Sequence, residues 1–214
     1  MSTPVAAYHE RVLKKVGFTP KPGMRVLDVG CGDGDVTFFL GASGCLAVGG
    51  DIAISPQWRS QVGSRTAFVR FDSRFLPFRD RIFDVVYVKD TLHHQERPDL
   101  AISEAIRVTS GGGHVVVVEA NRYHPIGYVH LTLLGGHNHF TREQFVRLIS
   151  SARYPSSFRS FEAHVIPGHW QALQRFAESL QNIWERAPLL RYFSNYNAAI
   201  ICKADASTSL AVGK

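Results

Sequence analysis

The segment Val26 to Gly34, VLDVGCGDG, constrains the fold more than any other stretch of the 214 residues. The short apolar run Val26, Leu27 and Val29 reads as a strand, and it passes without a break into Gly30-Cys31-Gly32-Asp33-Gly34. Missing side chains in such a turn let the backbone reverse tightly and bring its amides close to a ligand. At the carboxyl end of a strand this is the ligand position of a parallel α/β sheet, although a glycine turn taken alone is often only a tight connection. The spacing narrows the choice of ligand. A dinucleotide fingerprint, GxGxxG, needs a glycine where this chain has Asp35, and here Asp28 leads into GxGxG instead.

A carboxylate at Asp28 would repel a pyrophosphate. It can anchor the loop or, through water, meet a cationic amino-acid moiety, which suits the ammonium group of S-adenosylmethionine. The second strand ends at Asp51, where a carboxylate can accept both hydroxyls of a ribose. The third ends at Asp72, placed to accept a hydrogen bond from an adenine amino group. Each acid also has a plain reading, Asp51 as a helix cap and Asp72 as a turn former; the cofactor reading rests on all three standing at successive strand ends.

Strand-like and helix-like patterns alternate through the first two thirds of the chain, which argues for an α/β sheet of mostly parallel strands. A helix is expected over Tyr8 to Val16, strands at Arg25 to Val29, Cys45 to Gly50, Ala67 to Phe71, Phe83 to Val88 and His114 to Ala120, and helices near Asp35 to Leu40 and Leu100 to Val108. After Ala120 come a Gly- and His-containing stretch and a helix opened by Thr141, with Gln144 at capping-box spacing. A strand Phe158 to Ile166, a helix Trp170 to Arg186 and a strand Ala198 to Cys202 follow.

VLDVGCGDG, the strand-terminal Asp51, FDSRFLPF, FDVVYVKDTLHH and EAIRVTSGGGHVVVVE together resemble the class I S-adenosylmethionine-dependent methyltransferases, nearest to the small-molecule branch that includes quinone-biosynthesis methyltransferases. The resemblance is specific over Tyr8 to Ala120 and general in pattern through Lys203. It implies a single Rossmann-like domain over residues 1–214: a cofactor-binding half over 1–120, substrate-side elements over 121–203 and a flexible tail over 204–214. It also implies a seven-stranded, mostly parallel sheet with its last strand antiparallel and helices on both faces. By position it implies Asp28, Gly30, Cys31 and Gly32 around the methionine part of S-adenosylmethionine, Asp51 and Ile52 at the ribose, and Asp72 and Ser73 at the adenine. Lys89 would face the reactive end, mainly through its backbone, since an ammonium beside a sulfonium needs an acceptor such as Asp90.

His93 and His94 follow the fourth strand, and imidazole can take a proton near neutral pH, so His94 first and His93 second are the candidate bases; either can instead simply cap or pack. His130, His137 and His139 lack a nearby acidic partner, so no metal site is expected and they read as lining the substrate entrance. The stripe Trp170, Leu173, Phe176, Leu180, Ile183 and Trp184 reads as packing on the sheet; part of it, with Ile126 to Leu134, facing a pocket would favour an apolar or aromatic acceptor.

Cys31, Cys45 and Cys202 are widely spaced and form no CxxC pair, which indicates neither a disulfide framework nor a zinc site. No apolar run approaches a membrane span and the start lacks a signal core, so the expected location is the cytoplasm. The function expected is O- or C-methylation of a small organic acceptor. The formal charge of +6 makes an RNA acceptor the alternative, although Lys and Arg are scattered along the chain. A non-catalytic S-adenosylmethionine-binding partner subunit is a third reading.

Overall fold

A computed structural model of the chain describes residues 4–124, 139–163 and 192–205, with single positions between 179 and 190. Helix α1 (Pro4–Val16) starts earlier than its pattern indicated and buries Val12, Leu13 and Val16. Then come β1 (Arg25–Val29), α2 (Asp35–Ala42), β2 (Leu46–Asp51), the single turn α3 (Trp58–Gln61) and β3 (Thr66–Arg70). β4 (Phe83–Lys89) leads through a 3-10 turn, Leu92–His94, to α4 (Pro98–Val108) and directly into β5 (Thr109–Ala120). The last described elements are α5 (Arg142–Ser151), β6 (Ser156–Phe161) and β7 (Tyr196–Cys202).

The sheet has seven strands in the order β3-β2-β1-β4-β5-β7-β6. The first five run parallel, and β7 lies between β5 and β6, antiparallel to both. Chain order reverses between β1 and β4, and the crevice at that switch opens at the carboxyl ends of the strands, where α/β sheets bind ligands.

Period-two alternation sends the strand side chains into two cores. Val86, Val88, Val115, Val117, Ala199 and Ile201 meet Ala101, Ile102, Ala105 and Ile106 of α4 and Phe145 and Ile149 of α5. On the other face, Val26, Ala47, Tyr87, Val116, Val118 and Ala198 meet Val12, Leu13 and Val16 of α1 and Leu40 of α2. Helices therefore cover both faces, as the resemblance implied.

Most boundary differences have a local cause. β6 runs over Ser156–Phe161 rather than Phe158 to Ile166, because its ladder with β7 begins at Ser156 opposite Ile201 and closes at Phe161 opposite Tyr196. The polar start SSFRS concealed it. β7 begins at Tyr196 rather than Ala198 because Tyr196 and Asn197 pair with Ala120 and Glu119. α5 opens as the capping box indicated: Gln144 N donates to Thr141 Oγ1 at 3.2 Å and Thr141 N to Gln144 Oε1 at 2.9 Å. Of the stripe expected on a helix over Trp170 to Arg186, Ile183 is 63% exposed while its neighbour Gln181 is buried; the other stripe residues, His130, His137, Ile126 to Leu134 and 206–214 lie outside the described residues. No helix among the described residues is long and apolar enough to cross a membrane.

Candidate active site

The glycine loop leaves β1 into a backbone that only glycine adopts freely. Gly30 has φ +72°, and a Cβ there would lie 2.1 Å from Thr91 Oγ1, so the loop passes hard against the turn after β4. Gly30 N and Cys31 N both donate to the carbonyl of Gly50 on β2. Gly32, at φ +52°, faces open space. Its amide donates to Asp51 Oδ2 at 3.0 Å, and Trp58, stacked on Phe68, donates from its indole nitrogen to Gly32 O at 2.8 Å. Asp51 Oδ1 also accepts from Ala53 N, so one carboxylate ties the glycine loop to the end of β2.

The strand ends enclose a cavity of about 420 Å³ lined by Gly30, Gly32, Asp51, Ile52, Asp72 and Ser73, with Asp90, Thr91 and His94 across it. It thus joins residues at the ends of β1, β2, β3 and β4. Ser73 is buried and its Oγ has no partner among the described residues, which leaves a polar atom on the wall for a ligand to meet. Ile52 is 61% exposed at this wall, an apolar surface awaiting cover. Asp72 is at the cavity but its carboxylate is held by the Arg74 guanidinium, at 2.7 Å, and by Arg74 N; those bonds keep its pKa below the ordinary carboxylate range. A larger cleft of about 790 Å³ between α1 and β6, lined by Arg11, Lys14 and Arg159, shares no residue with this cavity.

Asp28 lies beneath the loop, 2% exposed, and accepts a 2.7 Å hydrogen bond from Thr37 Oγ1 of α2. Burial pushes its carboxyl up to about 6, against the opposing pull of Thr37 and Lys89. Cys31 is likewise raised well above the ordinary thiol range by burial and by Asp28 and Asp51, which keeps it protonated and poorly nucleophilic.

Lys89 does not line the described cavity. Its ammonium bonds to Asp90 and sits 5.5 Å from the Tyr8 ring centre and 5.1 Å from that of Tyr196, while the two phenol oxygens approach to 2.6 Å. Burial opposes the charge, but Asp90 and the tyrosines outweigh it and hold the pKa above the ordinary lysine range. His9 of α1, buried beside this group, is driven down to about 4 by burial and by Lys89, so it is neutral.

The two candidate bases differ in setting. His94 is exposed at the cavity rim. His93 has its side chain only 4% exposed, with Nδ1 at 2.7 Å from Glu119 Oε2. Its ring centre lies 3.9 Å from that of His94 and 4.1 Å from that of His139, both rings tilted against it. Glu119 is fully buried, and its Oε1 accepts from Thr91 N at 2.9 Å and Leu92 N at 2.7 Å. Burial raises its pKa while His93 opposes the rise. Glu119, Thr37, Thr91 and Trp58 escape a reading of single motifs. A signal existed for Glu119: a carboxylate closing a run of four valines must find partners.

Residues 27–117 match the family model of a methyltransferase domain. The match covers less than half of the chain and supports an S-adenosylmethionine-dependent methyltransferase. It is similar to the ubiquinone/menaquinone biosynthesis C-methyltransferase of Ruegeria sp. (strain TM1040), 35% identical over 109 residues, 47% of this chain and 44% of the relative. It is also similar to the 27-O-demethylrifamycin SV methyltransferase of Amycolatopsis mediterranei, 31% identical over 106 residues, 45% of this chain and 39% of the relative. The match thus spans less than half the length of these relatives. In fold it is similar to the crystal structure of magnesium protoporphyrin IX methyltransferase from Synechocystis PCC 6803 with bound SAH, with a TM-score of 0.62 and 16% identity over 92% of this chain and 84% of that one.

Proposed function

We propose that this class I methyltransferase domain transfers the methyl group of S-adenosylmethionine to a small organic acceptor. The observation that carries the reading is the single cavity that gathers Gly30, Gly32, Asp51, Asp72 and Ser73 from three strand ends. The residues fit the cofactor. Open space at Gly32 admits a ligand against the backbone, the Asp51 carboxylate is at ribose height after β2, and Ser73 Oγ, without a partner among the described residues, is available to the base, while Asp72 beside it is held by Arg74. Ile52 supplies apolar cover, and Asp28 below the loop favours a cationic methionine moiety.

When bound, the cofactor supplies a methyl group already activated by a sulfonium. The protein has then to align the acceptor and exclude water, and alignment can lower such a barrier by roughly 7 to 11 kcal/mol. The turn Asp90 to His94, clamped by Glu119, forms the cavity wall on the acceptor side. The similar proteins named above include one C-methyltransferase and one methyltransferase of an O-demethyl compound, which supports either oxygen or carbon as nucleophile.

Calorimetry with S-adenosylmethionine tests the cofactor, and mass spectrometry of a metabolite extract incubated with methyl-labelled cofactor tests the reaction. Asp51→Ala is expected to weaken binding by about 1.5 to 3 kcal/mol, roughly tenfold to more than a hundredfold. Unchanged affinity would remove Asp51 from the site, and absent binding would remove the reading. Labelled RNA with steeply salt-dependent affinity would favour the nucleic-acid alternative, and binding without any labelled product the partner-subunit one.

A further inference from the structure

The cleft of about 790 Å³ between α1 and β6 is larger than the cofactor cavity, and its charges do not cancel. Lys15 Nζ donates to both carboxylate oxygens of Glu185, at 2.7 and 2.9 Å, so those two charges balance. The remaining ionisable residues of the wall are Arg11, Lys14 and Arg159 against the carboxylate of Glu10. Lys14 and Arg159 are exposed, and neither is ion-paired among the described residues. The C-terminus of α1 lies here, and open carbonyls at a helix end would repel an anion. They are taken up instead: Leu13 O accepts from Gly17 N and Phe18 N, Lys14 O from Gly17 N, and Lys15 O from Arg159 Nη1 at 3.3 Å. Gly17 leaves the helix at φ +89°, and the Arg159 guanidinium lies against it, where a Cβ would come within 3.2 Å of Nη2. The charge of Arg159 is thereby placed at the cleft before any ligand arrives.

The inner wall carries a different signal. Gln181 lines the cleft, is 8% exposed, and its Oε1 accepts no hydrogen bond among the described residues. A dry amide oxygen destabilises the fold, and a leucine would fill the same place without that penalty, so an amide here calls for a donor on a ligand. Phe158, half-buried on β6, adds an aromatic surface to the cleft. A molecule that answers these features is anionic at one end, has a planar body, and presents an N–H donor at the other end. The volume suits a molecule of nucleotide size.

We propose that this cleft is a second ligand site, for a nucleoside monophosphate whose base bears an exocyclic amino group, as adenine and cytosine do. Lys14 and Arg159 hold the phosphate, Phe158 lies against the base, and Gln181 Oε1 accepts from the amino group. The ligand joins α1 to β6 across the cleft. No bond is made or broken there, and the inference does not rest on the methyltransferase reading.

Calorimetric titration of the whole chain with cytidine 5′-monophosphate tests the site, a pyrimidine being chosen because the cofactor cavity is matched to adenine. It should bind about tenfold or more tightly than cytidine, which lacks the phosphate, and than inorganic phosphate, which lacks the base. Saturating S-adenosylhomocysteine should leave that affinity within about twofold, since the two cavities share no residue. Lys14→Glu and Arg159→Gln, both at exposed positions, should each weaken binding by about tenfold or more. Gln181→Leu should weaken it similarly while raising the urea midpoint of the free protein, because a buried amide without a partner is removed. In nitrogen NMR the Gln181 side-chain amide should shift with the nucleotide and not with inorganic phosphate. No saturable binding at millimolar ligand, an affinity untouched by Lys14→Glu, competition by S-adenosylhomocysteine, or equal affinity for inorganic phosphate overturns the proposal. An oligoribonucleotide that binds far more tightly than the monophosphate, with steep salt dependence and loss in Lys14→Glu, overturns it too and assigns the cleft to RNA.

Discussion

Replacing Asp28 by asparagine should stabilise the protein at neutral pH, and the gain should disappear in acid. Asp28 is buried and its carboxyl rises from an ordinary 3.8 to about 6, chiefly through burial. A carboxyl raised on folding binds its proton more tightly in the native state, so its contribution is fully present below about pH 4 and is lost as pH climbs through about 6. The rise is worth about 3 kcal/mol at roughly 1.4 kcal/mol per tenfold change. In Asp28→Asn the amide oxygen would accept the Thr37 hydroxyl as the carboxylate does, and the amide does not ionise. Urea unfolding of native protein and variant at pH 4 through 8, without cofactor, should give curves that nearly coincide at the acid end and diverge by about 3 kcal/mol at pH 8, the variant being the more stable. Curves that stay parallel would show that Asp28 is not taken out of water, and with that the reason for its influence on a bound cation would fail. Adding S-adenosylmethionine should reverse the order, since the variant lacks the charge.

Gly30→Ala and Gly32→Ala form a pair with opposite signatures. The first drives a Cβ into Thr91 and should cost about 3 kcal/mol or more in unfolding free energy, whereas the second meets open space and should cost only about 1 to 2 kcal/mol for its left-handed backbone while still obstructing the cofactor in calorimetry. Phe145→Ala, removing a ring buried between α5 and the sheet, should lower stability by about 3 to 5 kcal/mol in denaturant titration with little change in cofactor affinity. Thr141→Ala removes one half of a complete capping box and should cost about 1 kcal/mol in the same titration.

What could be read in the sequence was what is local. The passage from β1 into the glycine loop, and the acids closing β2 and β3, are contiguous with the strands that place them, so the gathering of Gly30, Gly32, Asp51 and Asp72 at one end of the sheet was legible in the sequence. Thr37 and Glu119 act through partners 9 and 26 to 28 residues away, and no local pattern carries such pairings. The short helix α3 has one turn, too little for periodicity to register, yet its Trp58 holds the loop carbonyl of Gly32. Lys89 was expected at the reactive end, whereas its ammonium turns to Asp90, Tyr8 and Tyr196, and the two tyrosines lie far along the chain from it.

The place of β7 governs the order in which the molecule can assemble. It is the last of the seven strands along the chain and yet an interior one, so β5 and β6 each keep an open hydrogen-bonding edge until it arrives. The β1–β5 unit can close its cofactor crevice from segments already synthesised, but β6 has no partner in the sheet before residues 196–202 are available. During synthesis the chain therefore passes through a stage in which the cofactor half is paired while two edges remain exposed to any neighbouring strand. Cofactor present at that stage would stabilise the paired half and shorten the exposure of the other.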